Sequence, residues 1–264
     1  MSTATVTRPV TEREALASRC RYLLRLGDTS LILGQQLGAW IGHAPALEED
    51  LGLANTALDL IGQAQLLLAY AGELDGRGRD ADALAFVREE HEFLNVALVE
   101  QPNGDFAHTI VRQWLVDCWQ RELFSALSRS SDARLAAIAA KALPEVRYHR
   151  RYSSGWVVRL GDGTDESHRR MQAALDALWE HTTELFAMDE LDRDMSAIGV
   201  APDLAALLPA WTEEVSRTLQ AATLQRPADV HPLRMGKRGE HGEALGLLLA
   251  EMQSLPRAHP GASW

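Results

Sequence analysis

Apolar residues recur at intervals of three and four along nearly the whole chain, the period of helices that each bury one face. The line Leu135, Ile138, Ala142, Glu145, His149, Tyr152, Trp156 predicts a helix over about 135–160, with a seam that is apolar except at Glu145 and His149. Pro144 falls inside this helix, where its missing N–H predicts a local bend. Leu23, Leu26, Leu33, Leu37 and Trp40 predict a helix from Glu12 to about Ile41. Gly27-Asp28 interrupts that line, so either two helices meet there or one helix kinks. A helix from about Leu47 to Leu74 carries two adjacent apolar lines, one through Leu51, Ala54, Leu58, Ile61 and Leu68, the other through Leu53, Ala57, Leu60, Ala64 and Leu67. Such a wide band is expected of a helix buried on more than one side. The short turn Gly42-His43-Ala44-Pro45 makes these two helices antiparallel neighbours.

The rest of the chain reads the same way. A polar, glycine-rich connection at 75–80 leads to a short helix from Ala81 to about Glu90. The stretch His91 to Asp105 is irregular and partly apolar, and Asp105 is placed to cap a helix over about Phe106 to Leu127. Ser130-Ser131-Asp132 ends that helix and caps the next. After the turn at 161–165, helices are predicted over about 166–186, 201–224 and 241–255, with a short irregular piece at 189–200 and a long loop at 226–240. No segment alternates as a strand would. The expectation is an all-α fold, with a flexible tail at 1–10 and a single helical domain over 11–264.

Composition narrows the classes. The 264 residues, 46% hydrophobic and 24% charged, suffice for a core without disulfides. The N-terminal stretch has no apolar signal-type region, and no run reaches the ~18 apolar residues of a membrane span. Cys20 and Cys118 therefore read as reduced core thiols of a cytoplasmic protein. A formal charge of −11 argues against a general nucleic-acid binder.

Candidate chemistry lies in polar residues on faces that should point inward: Gln36, Asp59, Asp117, Glu145 and His149. A carboxylate-bridged di-iron bundle needs Glu on two helices and Glu-x-x-His on two others. The sequence contains no Glu-x-x-His, and Glu145 and His149 are four apart rather than three. Asp-x-x-His occurs at Asp105/His108 and Asp165/His168, both at helix starts, where the aspartates read as N-caps. The five polar residues are then either a degenerate metal site or a buried network in which Arg121, Lys141 or Arg147 supplies the positive charge. In the second case, removing Glu145 costs roughly a few kcal/mol if a buried cation is left unpaired. Asp59, with Asn55 and Gln63 nearby, also reads as part of a solvated stripe. The loop residues Arg234, Lys237 and Arg238 could hold a phosphate or a partner's carboxylate, or simply face solvent. The apolar part of 91–105 is a candidate docking surface, or else packs on its own bundle.

Four blocks carry a family resemblance: YLLRLGDTSLILGQQLGAWIGHAPALEEDLGLANTALDLIGQAQ, LVEQPNGDFAHTIVRQW, AKALPEVRYHRRYSSGWVVRLGDGTD and the closing LLAEMQSLPRAHPGASW. They resemble the C subunits of bacterial phenylacetyl-CoA epoxidases, the PaaC family, and EQPNGDFA and GHAPALEEDLGLANTALDL are the most specific of their motifs. The resemblance implies a ferritin-like helical bundle with additional helices. It implies a non-catalytic partner of a catalytic A subunit, which would hold the di-iron centre and the CoA thioester, while a separate NADPH-dependent reductase delivers electrons. The implied reaction is O2- and NADPH-dependent epoxidation of the aromatic ring of phenylacetyl-CoA. The resemblance assigns this chain no catalytic residue and no cofactor. Two rivals stand beside it: a metal-dependent oxidase acting alone through Asp59, Asp117, Glu145 and His149, and a self-associating helical protein unrelated to oxygenases.

Overall fold

The computed structural model describes residues 12–230 and 234–262; the expected tail at 1–10 lies outside them. Among the described residues the secondary structure is entirely helical. The chain opens with α1 (Glu12–Trp40) and α2 (Leu47–Asp75). They run antiparallel: Gly27 of α1 lies against Leu68 of α2, and Gly34 against Ile61 and Ala57. α1 passes through Gly27-Asp28 without a break. The interruption in its apolar line has two separate causes. A Cβ at Gly27 would come within 2.8 Å of Leu68, so glycine sets the closeness of the two helices. Asp28 is fully buried because a partner waits for it, the guanidinium of Arg88.

α2 buries Leu53, Ala57, Leu60, Ala64 and Leu67 against this pairing, but Leu51, Leu58 and Ile61 of its second apolar line are exposed. The expectation of burial on more than one side is thus only half met. α2 ends at Gly76, whose positive φ of 66° is the left-handed cap that glycine adopts without strain.

α3 (Ala81–Phe86) is shorter than expected, and two 3-10 turns, Glu90–Glu92 and Ala97–Glu100, follow it. α4 (Phe106–Leu127) starts at the Asp105 cap, whose carboxylate accepts the His108 N–H. α5 (Ala133–Gly161) starts at Asp132, which accepts from Arg134 and Leu135, and it runs on across Pro144. α4 and α5 form a second hairpin, joined by the short link 128–132 and closed at the far end by the edge-on contact of Phe106 with Trp156.

The hairpins meet in two different ways. α2 meets α5 through polar contacts: Glu49 accepts from Tyr152 and Trp156, at 2.6 and 2.7 Å, and further pairs lie along the seam. Between α1 and α4 the segment 93–100 is inserted as a wedge. Phe93, Leu94, Val96, Ala97, Leu98 and Val99 are all buried in it, so this stretch packs on its own bundle and is not a docking surface. Its backbone is satisfied from both sides: Thr29 Oγ1 accepts the Val96 N–H, Gln36 donates to the Glu100 carbonyl, and Arg112 donates to the Gln101 carbonyl.

α6 (Asp165–Leu178) is capped by Thr164, so Asp165 is the first helical residue and not the cap that the Asp-x-x-His spacing suggested. The expected helix to Phe186 tightens into a 3-10 stretch at Trp179–Leu185. α7 (Glu190–Ala197) orders the piece expected to be irregular, and α8 (Leu208–Ala221) begins later than expected, after the 3-10 turn Leu204–Leu207. Trp211 packs against Trp179 and Phe186, with ring centroids 5.7 and 5.2 Å away. A 3-10 turn at Gly236–Arg238, α9 (Glu243–Met252) and α10 (Ser254–Ala258) complete the described chain. Of these later elements, α6 and α8 pack on α4 and α5, and α7 and α9 on α1. Cys20 and Cys118 are buried free thiols in the core.

Candidate functional site

The polar residues predicted to face inward divide into two places. Asp59, Asp117, Glu145 and His149 meet along the seam of α2, α4 and α5. Gln36 is not among them; its side chain donates to the Glu100 carbonyl and its own carbonyl accepts from Asn103, so it anchors the wedge and its continuation.

In the seam each candidate has a side-chain partner, and one polar atom, the buried Nδ1 of His149, has none. His149 is buried, and its Nε2 lies 2.9 Å from Asp59 Oδ2. Asp59 keeps 39% of its side chain exposed, so it both faces solvent and fixes the ring. Glu145 accepts from Gln63 Nε2 at 3.0 Å. Asp117 is fully buried, with Gln113 donating to one oxygen at 2.6 Å and Ser153 to the other at 2.7 Å. Burial pushes the Asp117 carboxyl up to about 6, against the opposing influence of His149, Ser153 and Gln113. An open cleft of about 190 Å³ between α2 and α5 is lined by Asp59, Gln63, Lys141 and Glu145.

The cations expected to serve this network do not do so. Lys141 and Arg147 are exposed, and Arg121 is paired with Glu122. The seam is instead closed by neutral donors, Gln63, Gln113 and Ser153, of which Gln113 and Ser153 were not singled out in the sequence. The cue was present: Gln113 stands four residues before Asp117, and Ser153 four after His149, on the same helix faces. This donor set does not suit a resident metal. The carboxylates and the imidazole are turned toward one another and toward N–H and O–H groups, and no three His, Cys, Asp or Glu among the described residues could share a metal ion.

The buried charges lie elsewhere. Arg88 holds both oxygens of Asp28, donates also to the Leu84 and Glu92 carbonyls, and stacks 4.2 Å over the Phe93 ring. Arg25 forks onto Asp189 at 3.0 and 2.5 Å and reaches Asp192 at 3.0 Å. Burial alone would raise Asp189; the Arg25 hydrogen bonds outweigh it and hold the carboxyl well below the usual range.

Lys237 belongs to this second cluster. It is buried, and its ammonium sits 2.7 Å from Asp192 and on the Ala187 carbonyl. Of the three loop cations singled out as contacts for phosphate or a partner, Lys237 is therefore already spent inside the fold. Arg234 and Arg238 are exposed, with Arg238 3.5 Å from Asp189. Gly236 is what admits the loop: a Cβ there would lie 2.4 Å from the Asn95 carbonyl of the wedge. Glu184 accepts the Ala97 and Lys237 N–H groups at 2.6 and 3.0 Å, and burial pushes it up to about 7. Glu100 and His241 form a further buried pair at 2.9 Å, with the other ring nitrogen 2.8 Å from the Phe93 carbonyl.

An all-helical protein of paired hairpins, with its interior carboxylates engaged by its own side chains, is the class that fold and site define. Residues 2–264 match the pattern of the phenylacetic acid catabolic proteins, and the chain belongs to that family. It is similar to the C subunit of 1,2-phenylacetyl-CoA epoxidase from Escherichia coli K12, with 53% identity over 243 residues that cover 92% of this chain and 98% of the relative. The resemblance read from EQPNGDFA and the neighbouring blocks is thereby borne out. Among the described residues no helix is long and apolar enough to cross a membrane.

Proposed function

We propose that this chain is the non-catalytic structural subunit of a multicomponent phenylacetyl-CoA epoxidase, and that it stabilises and positions a di-iron catalytic A subunit in aerobic phenylacetate catabolism. Its fold is then a ferritin-like bundle with additional helices, forming one domain over 11–264, in the cytoplasm. A reductase drawing on NADPH completes the complex. The observation that carries the reading is the near end-to-end match to the C subunit of an epoxidase. The seam supports it. Oxygen activation at paired irons needs several ligand atoms converging on the metal, whereas Asp117 and His149 Nε2 are committed to Ser153, Gln113 and Asp59, and among the described residues no three His, Cys, Asp or Glu converge. What the chain offers instead is a rigid shape, and stable interfaces of this kind bury ~2,000 Å² or more.

The test is co-expression with the catalytic A subunit under iron supply. The expected result is co-purification, with iron following the catalytic partner and epoxidation requiring both chains. About two irons per copy of this chain alone, with O2-dependent turnover, would establish the oxidase reading instead. Failure to co-purify would refute the structural role.

A further inference from the structure

The outer face of α2 is unused by the site. Leu47, Leu51, Ala54, Leu58, Ile61 and Gln65 follow one another at alternating intervals of four and three, the spacing of a helix–helix seam. Leu47, Leu51, Leu58 and Ile61 are 70%, 56%, 65% and 37% exposed. Single surface leucines need no explanation; four large apolar residues in register along one helix do.

We propose that this stripe is the contact between two copies of the chain, with α2 lying antiparallel on its mate about a two-fold axis. The spacing permits that occupant, and the flanking charges select it. The stripe is complementary to itself: an antiparallel register puts Leu51 opposite Ile61, the small Ala54 opposite Leu58, and Leu47 opposite the stem of Gln65. Every seam position thus meets another seam position, as an isologous contact requires. The flanking charges obey the same symmetry. Glu48 flanks one end of the stripe, and Lys141 lines the cleft with Gly62, Gln65 and Leu66 at the other. Neither has an ion-pair partner among the described residues. The antiparallel register brings Glu48 of each copy to the end where Lys141 of the other copy stands. The stripe is about 27 Å long at 1.5 Å per residue, a contact at the small end of specific interfaces, so the dimer dissociates on dilution.

The proposal does not rest on the epoxidase assignment, and it is tested on the full chain alone by sedimentation velocity over a dilution series. A reversible monomer–dimer equilibrium is expected. Leu58→Glu should abolish the dimer while far-UV circular dichroism and cooperative melting are retained. Glu48→Lys and Lys141→Glu should each weaken it at least several-fold, and the double exchange should restore it. With single cysteines on this face, a short bismaleimide should link Leu51→Cys chains to Ile61→Cys chains in a mixture, and neither variant to itself. A monomer at every concentration overturns the proposal. So does a dimer indifferent to Leu58→Glu, or a chain that is monomeric alone and loses a different polypeptide on that substitution.

Discussion

Replacing Asp28 by asparagine keeps the shape of the side chain and removes its charge. In the native protein the Asp28 and Arg88 side chains are 0% and 2% exposed, so the Arg88 guanidinium would be left as a buried cation without its counter-ion. Breaking a buried pair from one side costs about 3–5 kcal/mol. The lower end is expected here, because Arg88 keeps the carbonyls of Leu84 and Glu92 and the face of Phe93. The amide oxygen introduced at position 28 can still accept the Leu94 N–H, so the wedge loses the charge and not its backbone bond. For a chain of this size, about 3 kcal/mol corresponds to a fall in Tm of roughly 6–12 °C. Urea unfolding followed by far-UV circular dichroism measures the free energy, and a thermal scan measures the shift. A control removes both charges at once: Asp28→Leu with Arg88→Met should recover most of the loss. A cost under about 1 kcal/mol for Asp28→Asn, or a double variant as unstable as the two single losses added, would refute the reasoning.

Glu184 has its folded pKa raised from 4.5 to about 7, so stability from this group is fully present below the unfolded value and is lost as pH rises toward 7, by about 3 kcal/mol; carboxyl NMR should show Glu184 titrating near neutrality, and a midpoint in the ordinary glutamate range would refute this. His241 works in the opposite chemical sense with the same pH direction: burial disfavours its charge, but Glu100 and the Phe93 carbonyl more than offset it and raise the pKa, so its contribution is full at low pH and fades as pH rises through the raised value. His241→Leu should therefore be most costly in mild acid and least in alkali, measured by urea unfolding at several pH values. Glu145→Ala should cost about 1–3 kcal/mol, because it takes the acceptor from the buried amide of Gln63 but leaves no buried cation behind; a loss well above that would show a charged partner.

Much of the fold was legible because each long helix buries one regular line of side chains. The seam of α5 and the antiparallel pairing of α1 with α2 follow from periodicity and link length alone. What periodicity could not separate was a break in a helix from a buried interaction. Gly27-Asp28 reads as an interruption until Leu68 and Arg88 are seen to fill it from more than forty residues away. The wedge at 93–100 stayed undecided between docking and packing on its own bundle for a related reason. The groups that satisfy its backbone and settle it as packing, Thr29, Gln36 and Glu184, are scattered along the chain. Lys237 looked like a surface charge because its partners Asp192 and Ala187 are likewise remote. Four of the five inward polar residues do converge, whereas Gln36 shares their buried setting without sharing their location.

The wedge also has a bearing on how the chain matures. Glu100 is gripped by His241 and Gly242, and Gly236 presses on Asn95, so the late residues act as a clasp over an early one. On the ribosome the two hairpins can form well before that clasp exists. Until residues 236–242 have left the ribosome, the stretch between α1 and α4 lacks these restraints, and the middle of a nearly built protein is still unlatched.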